Sequence, residues 1–294
     1  MKSTPSAQPV EPVGIIGLGR VGLTAAHALL AQGRPVVGFQ RRGADQLIAA
    51  GGEAATSAGD LFERCRVVLL AVPNADALLS VVEAAPNAGD GRAREGSVSI
   101  DLTAVAVSAK NRARTVLSSR GIAMLDAPVS GIPNPGGQPE FASMFASGER
   151  SVYDACESIL SVLTPKLWYV GEFGSGVKMK LVNNAVVAMH TVVTAEALQL
   201  GIRAGIDPDI LIDVLTESPA SSWVFRDRAR RMVEGPHLPA RGSIDMMRDI
   251  LLLVAVLAED CGADLPALGL AARRFDEASH RGMGDEDVSA MYRL

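Results

Sequence analysis

Residues 13–22 read VGIIGLGRVG, and this stretch decides how the rest of the chain is interpreted. A short apolar run ends at Gly17, and a helix-compatible segment follows from Val21 to Gln32. The pattern G-x-G-x-x-G requires this strand–turn–helix context. Its first glycine permits a tight turn, its second lets the backbone approach a pyrophosphate, and its third lets helix and strand pack closely. The N–H groups at the helix start then face the phosphates. We therefore expect a dinucleotide-binding turn made of Gly17, Leu18, Gly19, Arg20, Val21 and Gly22.

Short apolar runs continue to alternate with helix-length segments through the first 170 residues. The predicted strands are Val13 to Gly17, Pro35 to Phe39, Val67 to Val72, Val98 to Asp101 and Ile122 to Leu125. Between them lie predicted helices at Val21 to Gln32, Ala44 to Ala50, Ala75 to Glu83 and Val105 to Ser118. Phe141 to Ala146 and Leu167 to Val170 flank a helical segment and are expected to finish the same sheet. The alternation predicts an α/β fold, a doubly wound parallel sheet with helices on both faces.

The strand pattern stops after Gly171. Gly176 to Ala204 is compatible with one long helix, apolar on much of its circumference, which we expect to be buried between domains or subunits. Further helical segments follow at Asp209 to Thr216, Trp223 to Val233, Ile244 to Cys261 and Pro266 to Ser279. The predicted organisation is a flexible tail over residues 1–12, a Rossmann domain over 13–173, and an all-helical substrate and dimerisation domain over 174–294, with the boundary near Glu172 to Ser175.

Composition excludes several classes of function. The chain has 294 residues and a formal net charge of -5, so it lacks the basic field that a nucleic acid requires. No run approaches 18 uncharged apolar residues, and the first twelve residues lack the apolar core of a secretory signal, so we expect no membrane span. Three cysteines far apart in the chain fit a reducing cytosol, so we expect a cytoplasmic location. The three cysteines and four histidines are isolated in sequence. We therefore expect no disulfide framework and no metal site, and we assign no histidine a role.

The end of the second strand bears on cofactor choice. NAD-selective sites usually carry an acidic residue here, which binds the ribose 2′-hydroxyl. This chain has Gln40, Arg41 and Arg42 instead, and guanidinium groups can hold a 2′-phosphate through charge-assisted hydrogen bonds. We expect NADP (NADPH) in preference to NAD; the alternative is that the two arginines form a solvated turn. The remaining candidate cofactor-binding residues follow the next two strands and are Val72, Pro73, Asn74 and Thr103.

Four segments, taken in order, resemble one enzyme family. They are Gly14 to Gly22, Asp126 to Gly131 (DAPVSG), Gly174 to Asn184 (GSGVKMKLVNN) and Arg248-Asp249. Together they span most of the chain and resemble the beta-hydroxyacid dehydrogenase superfamily, which includes 3-hydroxyisobutyrate dehydrogenase and has the 6-phosphogluconate dehydrogenase type of fold. The resemblance implies an NADP-dependent oxidoreductase acting on a small beta-hydroxy acid or the corresponding semialdehyde or keto acid.

The resemblance also implies roles for individual residues. Lys180 matches the family's acid/base. Asn184, four residues later on the same helix face, is expected to orient Lys180 or the substrate oxygen, while Asn183 turns away. The alternative is that Lys178 and Lys180 are surface lysines at a helix start. Predicted substrate-binding residues are Ser130, Gly131, Ile132 and Arg248, and Asp249 is a predicted cofactor neighbour.

Two departures from the family pattern fall at predicted substrate-binding positions, so the sequence does not identify the substrate. Residues 132–139 read IPNPGGQP where relatives have a glycine-spaced run, and Arg248 replaces the usual lysine. We expect a homodimer or homotetramer with a small carbonyl or hydroxy acid as substrate. Two other functions remain open, an imine reductase and a non-catalytic nucleotide-binding module, and the presence of Lys180 argues against both.

Overall fold

The computed structural model describes residues 10–87, 94–131 and 141–294. The strands are β1 (Val13–Ile16), β2 (Val36–Phe39), β3 (Glu53–Ala54), β4 (Val67–Leu70), β5 (Val98–Asp101), β6 (Ala123–Asp126), β7 (Val129–Ser130), β8 (Ser143–Ala146) and β9 (Leu167–Tyr169). The helices that accompany them are α1 (Arg20–Ala31), α2 (Asp45–Ala49), α3 (Ala58–Arg64), α4 (Ala75–Glu83), α5 (Val107–Ser119) and α6 (Arg150–Leu163). The chain continues with α7 (Ser175–Arg203), α8 (Pro208–Glu217), α9 (Trp223–Glu234), α10 (Ile244–Cys261) and α11 (Pro266–Ala278).

Six of the strands form one parallel sheet in the order β3-β2-β1-β4-β5-β6. The strand order reverses between β1 and β4, and in open α/β sheets ligands bind outside the carboxyl ends of the strands at such a point. The turn at Gly17 leaves β1 at this position. The prediction of a doubly wound α/β domain is confirmed.

Apolar cores cover the two faces of this sheet. Val13 and Ile15 of β1 pack with residues of α1 and α6, whereas Ile16 packs with residues of α3, α4 and α5 on the opposite side. Successive side chains of a strand point to opposite faces, so an uninterrupted apolar run is what a strand covered on both sides requires. Each fully buried aliphatic side chain contributes about 1.5–3 kcal/mol to the stability of the folded state, relative to the same side chain exposed to water.

The prediction that the runs at 141–146 and 167–170 finish the main sheet is wrong. They form β8 and β9 of a separate sheet, ordered β7-β8-β9, in which β7 and β8 are antiparallel and β8 and β9 are parallel. The main sheet ends because the chain reverses after Asp126, whose backbone exchanges hydrogen bonds of 2.7 and 3.0 Å with Ser147. The reversal makes β7, which the sequence analysis did not anticipate.

The edge strand β3 and helix α3 are two elements that were not predicted from the sequence. β3 has only two residues, too few to show an alternating pattern. Helix α3 does carry a start signal, since the side chain of Ser57 accepts a hydrogen bond from the N–H of Asp60.

The chain divides into two compact units, one ending at Lys180 and the other running from Leu181 to Leu294. The division falls inside α7 because the first turn of this helix is hydrogen-bonded to the first unit, as described below. The second unit is helical, and serine or aspartate side chains cap three of its helices, at Asp207, Ser222 and Ser243. A π-helical turn at Ser279–Met283 and a 3-10 helix at Val288–Arg293 complete it.

Helix α7 is long and apolar enough to cross a membrane by length and composition alone, the one such helix among the described residues. A core helix of a globular protein meets the same criterion, and a substantial part of this helix is buried within the chain. The feature is weak evidence for a membrane span.

Candidate active site

The glycine-rich turn owes two of its glycines to the packing of the chain itself. Gly17 has a φ of +94°, and a Cβ atom there would lie 2.2 Å from the carbonyl oxygen of Ala71. A Cβ atom on Gly22 would lie 1.8 Å from the carbonyl oxygen of Gly17. Both separations are too short for any side chain, so only glycine allows β1, the turn and α1 to approach this closely.

Gly19 differs from the other two, because a Cβ atom there would meet nothing within 4 Å. It is the N-cap residue of α1, and that helix start has no side-chain cap and no acidic residue in its first turn. The first N–H groups of a helix have no partner within the helix, and the helix dipole adds positive potential. Open space beside Gly19 and these donors fit the pyrophosphate of a dinucleotide.

The residues that follow β2 carry no acid. The side-chain oxygen of Gln40 accepts a hydrogen bond of 3.0 Å from the N–H of Leu18, which ties the end of β2 to the glycine-rich turn. Arg41 and Arg42 are exposed, and neither forms an ion pair with the described residues. Two unneutralised guanidinium groups therefore stand where the ribose end of a dinucleotide is expected.

The polar residues after β4 and β5 have partners of their own. The side chain of Asn74 caps α4 by accepting a hydrogen bond of 2.9 Å from the N–H of Ala77. The hydroxyl of Thr103 is buried and donates to Asp101 over 2.6 Å. Val72 and Pro73 lie directly after β4. All four residues follow the carboxyl ends of their strands, and their contact with a cofactor stays a prediction.

Lys180 and Ser130 come together in the first unit. Nζ of Lys180 donates a hydrogen bond of 3.2 Å to Oγ of Ser130, which lies on β7. Burial lowers the pKa of Lys180 from its usual value of 10.5 to about 8, because a poorly solvated site disfavours the charged ammonium form. This pairing joins two residues 50 positions apart, both of which the family resemblance singles out.

Asn183 and Asn184 lie further along α7. Asn184 is buried, and its side-chain oxygen accepts a hydrogen bond of 3.3 Å from the amide of Asn183. The side chain of Asn183 reaches its neighbour, and the expectation that it turns away from the cleft of Lys180 stays a prediction. Asn184 stands four residues after Lys180 on one helix, the separation that places two side chains on the same face.

Gly131 has a φ of +70°, and a Cβ atom there would lie 2.5 Å from the Cβ of Ala142. The carbonyl of Gly131 accepts a hydrogen bond from Ala142, and the residue itself is exposed. Ile132 and the rest of the predicted proline-rich loop lie outside the described residues.

Arg248 is already engaged by neighbours in the second unit. Its guanidinium donates to the hydroxyl of Ser279 over 2.8 Å and has carboxylate oxygens of Asp245, Asp249 and Asp276 at 3.6 to 3.9 Å. Asp249 itself is exposed. These carboxylates reduce the positive charge that Arg248 offers to a substrate.

Sequence reasoning missed a buried charged cluster made of Asp101, Lys110 and Asp126. Nζ of Lys110 lies 2.8 Å from Asp101 and 2.7 Å from Asp126, and all three side chains are fully buried. A signal was available: β5 and β6 are neighbours, each ends in aspartate, and the two aspartates are register partners. Two carboxylates placed together at the buried edge of a sheet require a cation.

Two family models of nicotinamide-dinucleotide-dependent dehydrogenases match consecutive parts of the chain. The family model described as the NAD binding domain of 6-phosphogluconate dehydrogenase matches residues 12–171. The model described as NAD-binding of NADP-dependent 3-hydroxyisobutyrate dehydrogenase matches residues 174–294.

Individual relatives cover nearly the whole chain. An L-threonate dehydrogenase of Cupriavidus necator is 33% identical over 96% of this chain and 95% of its own. The crystal structure of a 3-hydroxyisobutyrate dehydrogenase from Salmonella typhimurium has a TM-score of 0.81 at 28% identity, covering 96% of this chain and 99% of that one. A Streptomyces aurantiacus imine reductase, at 26% identity and with coverage of 97% and 99%, is more distant in structure, with a TM-score of 0.59. The chain therefore belongs to the beta-hydroxyacid dehydrogenase superfamily and is an NAD(P)-dependent hydroxyacid dehydrogenase or reductase.

Proposed function

We propose that this enzyme interconverts a small beta-hydroxy acid and its semialdehyde or keto acid, with NADP as the preferred cofactor and Lys180 as the acid/base. The observation that carries the proposal is the Lys180–Ser130 pair. It combines a hydrogen bond of 3.2 Å with a pKa lowered to about 8.

The lowered pKa makes Lys180 suited to move a proton in either direction. An ordinary lysine with a pKa near 10.5 is neutral in well under ~1% of molecules at pH 8, whereas a lysine with a pKa of about 8 is neutral in about half of them. A neutral amine accepts the proton of the substrate hydroxyl during oxidation, and the ammonium returns it to the carbonyl oxygen during reduction. A bound nicotinamide dinucleotide supplies the hydride chemistry.

The remaining residues of the proposed site bind and orient the substrate. Ser130 places its hydroxyl against the amine of Lys180, and the exposed backbone of Gly131 next to it is available to a substrate carboxylate. Asn184, four residues after Lys180 on α7, is proposed to orient Lys180 or the reacting oxygen of the substrate. Arg248 is proposed to bind the substrate carboxylate. Its interactions with Asp245 and Asp276 reduce the positive charge that it offers to that carboxylate.

The names of the relatives narrow the substrates to be tried. L-threonate is the first substrate to test. It is a four-carbon hydroxy acid, and the relative with 33% identity is named an L-threonate dehydrogenase. The assay follows cofactor absorbance at 340 nm with L-threonate and 3-hydroxyisobutyrate in the oxidative direction, and with glyoxylate and succinic semialdehyde in the reductive direction. Turnover of L-threonate or 3-hydroxyisobutyrate, both of which carry a beta-hydroxyl group, supports the proposal. Turnover of glyoxylate or succinic semialdehyde alone would support only the coarser assignment to small carbonyl acids. Turnover of a cyclic imine alone would favour an imine reductase, and cofactor binding without any turnover would favour a non-catalytic module.

Lys180 is tested against a lysine two residues away on the same helix. Lys180→Ala is expected to lower kcat by about a hundredfold or more while cofactor binding is kept, since a positioned acid/base contributes roughly that much. Lys178 is exposed, and Lys178→Ala serves as the matched control with kcat within about twofold of wild type. Equal turnover of the two variants would remove Lys180 from the mechanism.

Cofactor preference is tested at Arg41 and Arg42. Each charge-assisted hydrogen bond to a 2′-phosphate contributes about 1.5–3 kcal/mol, so the double alanine variant is expected to raise the dissociation constant of NADPH by about tenfold or more. The dissociation constant of NADH should change by less than about twofold, because NADH lacks the 2′-phosphate. An unchanged NADPH constant would show that the two arginines form only a solvated turn.

A homodimer or homotetramer in the cytoplasm is part of the same proposal. Apolar side chains stand exposed along α7, with Val182 at 54%, Val193 at 56% and Leu200 at 73% exposure. A stripe of this kind on one helix is typical of a surface that a second subunit covers. Light scattering coupled to size exclusion measures the mass directly, and a monomer of 30.7 kDa at micromolar concentration would contradict this part.

A further inference from the structure

The buried cluster of Asp101, Lys110 and Asp126 lies directly beneath the start of α7. One carboxylate oxygen of Asp126 accepts from Lys110 at 2.7 Å, and the other accepts from the N–H of Val177 at 2.8 Å. Asp126 therefore joins the buried lysine to the first turn of the helix that carries Lys180. A carboxylate at a helix N-terminus is also stabilised by the helix dipole.

Ser147 adds a second link to the same turn. Its hydroxyl accepts a hydrogen bond of 2.9 Å from the N–H of Gly176 and donates one of 3.2 Å to Asp126. Backbone and carboxylate surround Gly176 closely: a Cβ atom there would lie 2.3 Å from the carbonyl oxygen of Phe145 and 3.0 Å from the Asp126 carboxylate. Two N–H groups at the start of α7, which a helix leaves without internal partners, are thus held by side chains of the first unit.

We propose that Asp126 and Ser147, held in place by Lys110, are positioning residues that fix the start of α7 so that the amine of Lys180 stays against Ser130. This inference rests on the proposed function, in which Lys180 is the acid/base. It adds residues whose side chains are fully buried and which act through Lys180.

The geometry explains how such an effect reaches the amine. Lys180 lies three residues after Val177, within one helical turn of the Asp126 bond, and Ser130 lies four residues after Asp126 along the chain. Both partners of the 3.2 Å contact are therefore anchored near one carboxylate. Loosening the first turn lets the amine move toward water.

Ser147→Ala is the sharpest perturbation, because it removes one hydroxyl and leaves the backbone bonds between residues 126 and 147 intact. Ser99→Ala is its matched control. Ser99 is equally buried, lies on β5 of the same unit, and its hydroxyl has no hydrogen-bond partner among the described residues. A general effect of deleting a buried hydroxyl appears in both variants, whereas a positioning effect appears only at Ser147.

The first readout needs no substrate. Lys180 is labelled with acetic anhydride across pH 6–10 and quantified by mass spectrometry, which reports its pKa in the free enzyme. Burial is the cause of the lowered pKa of Lys180, so an amine that moves toward water regains a higher pKa. We expect the labelling midpoint of Ser147→Ala to rise by at least about half a pH unit, and that of Ser99→Ala to match wild type.

The second readout is turnover with the acid that the panel identifies. Ser147→Ala is expected to lower kcat by about tenfold with KM within about twofold, since small misplacements of a reacting group cost up to about a hundredfold. Ser99→Ala should keep both constants. A Ser147→Ala enzyme that melts at a lower temperature, yet keeps the wild-type labelling midpoint and kcat, would overturn the positioning role and leave only a structural one.

A measurement on the unaltered enzyme covers the case in which Ser147→Ala does not fold. Hydrogen exchange resolved to single amides is expected to show Gly176 and Val177 protected by at least about a hundredfold, because both donate to buried acceptors. Unprotected amides at both positions would overturn the inference. Failure of the proposed function is seen separately, as undiminished turnover in Lys180→Ala.

Discussion

Replacing the buried lysine by methionine, Lys110→Met, tests the cluster by leaving two carboxylates side by side with no cation. The wild-type cluster holds one positive and two negative charges, all fully buried. Burial by itself would lower the pKa of Lys110, but Asp101 and Asp126 outweigh it and raise the pKa above its usual value. The lysine is therefore charged at neutral pH. Its stabilising contribution is fully present below the usual lysine pKa and is lost only as the pH rises through the higher folded-state pKa.

Removing one partner of a buried ion pair typically costs about 3–5 kcal/mol, a large part of the roughly 5–15 kcal/mol that stabilises a domain. We expect a loss of this size in the free energy of unfolding at pH 7, measured by urea denaturation followed by circular dichroism. Arg112→Met is the control, because Arg112 is exposed on the same helix and its loss should change stability by less than about 0.5 kcal/mol.

A second substitution separates charge from packing. Lys110→Met combined with Asp101→Asn leaves one buried carboxylate instead of two, and it should recover part of the lost stability. The reasoning about the cluster fails if the free energy of unfolding of Lys110→Met stays within about 1 kcal/mol of wild type. It also fails if adding Asp101→Asn to Lys110→Met costs as much stability as Asp101→Asn costs in the wild-type protein.

Three further predictions concern the turn, the cap and the pH dependence. Gly22→Ala should lower the melting temperature markedly because its methyl would meet the Gly17 carbonyl, whereas Gly19→Ala should keep the melting temperature and weaken NADPH binding; the reverse order would contradict the assignment of the open space to the cofactor. Asn74→Ala should cost about 1 kcal/mol of stability and Asn74→Ser should restore most of it, and equal stability of the two would exclude the cap. Since Lys180 has a pKa of about 8 and must be neutral to accept a proton, kcat/KM for oxidation should rise with pH through about 8 and that for reduction should fall; a flat profile from pH 6.5 to 9.5 would argue against Lys180.

The sequence determined the main sheet because its strands carry a strong local signal. Continuous apolar runs such as residues 67–70 are what a parallel strand covered on both faces needs, and helix-length segments between them leave few topologies open. The glycine-rich turn was equally readable, since each glycine answers a local requirement of turn, approach or packing.

The small second sheet could not be predicted from the sequence, because its strand pairing depends on a reversal of the chain direction after Asp126. The apolar run at residues 143–146 looks the same whether it extends the main sheet or pairs with β7, and only the turn after Asp126 decides between them. Edge strand β3 has two residues and no alternating pattern of its own. It is a strand because it pairs with β2.

For the candidate site, the sequence selected Lys180 and Ser130 but could not give their separation, their burial or the pKa that follows from burial. Those properties depend on a contact across 50 residues. Lys110 shows the same limit, because a lysine followed in a helix by polar residues such as Asn111 and Arg112 is expected to face water. Only the tertiary structure, by bringing the ends of β5 and β6 together under α7, makes it the buried cation that two carboxylates require.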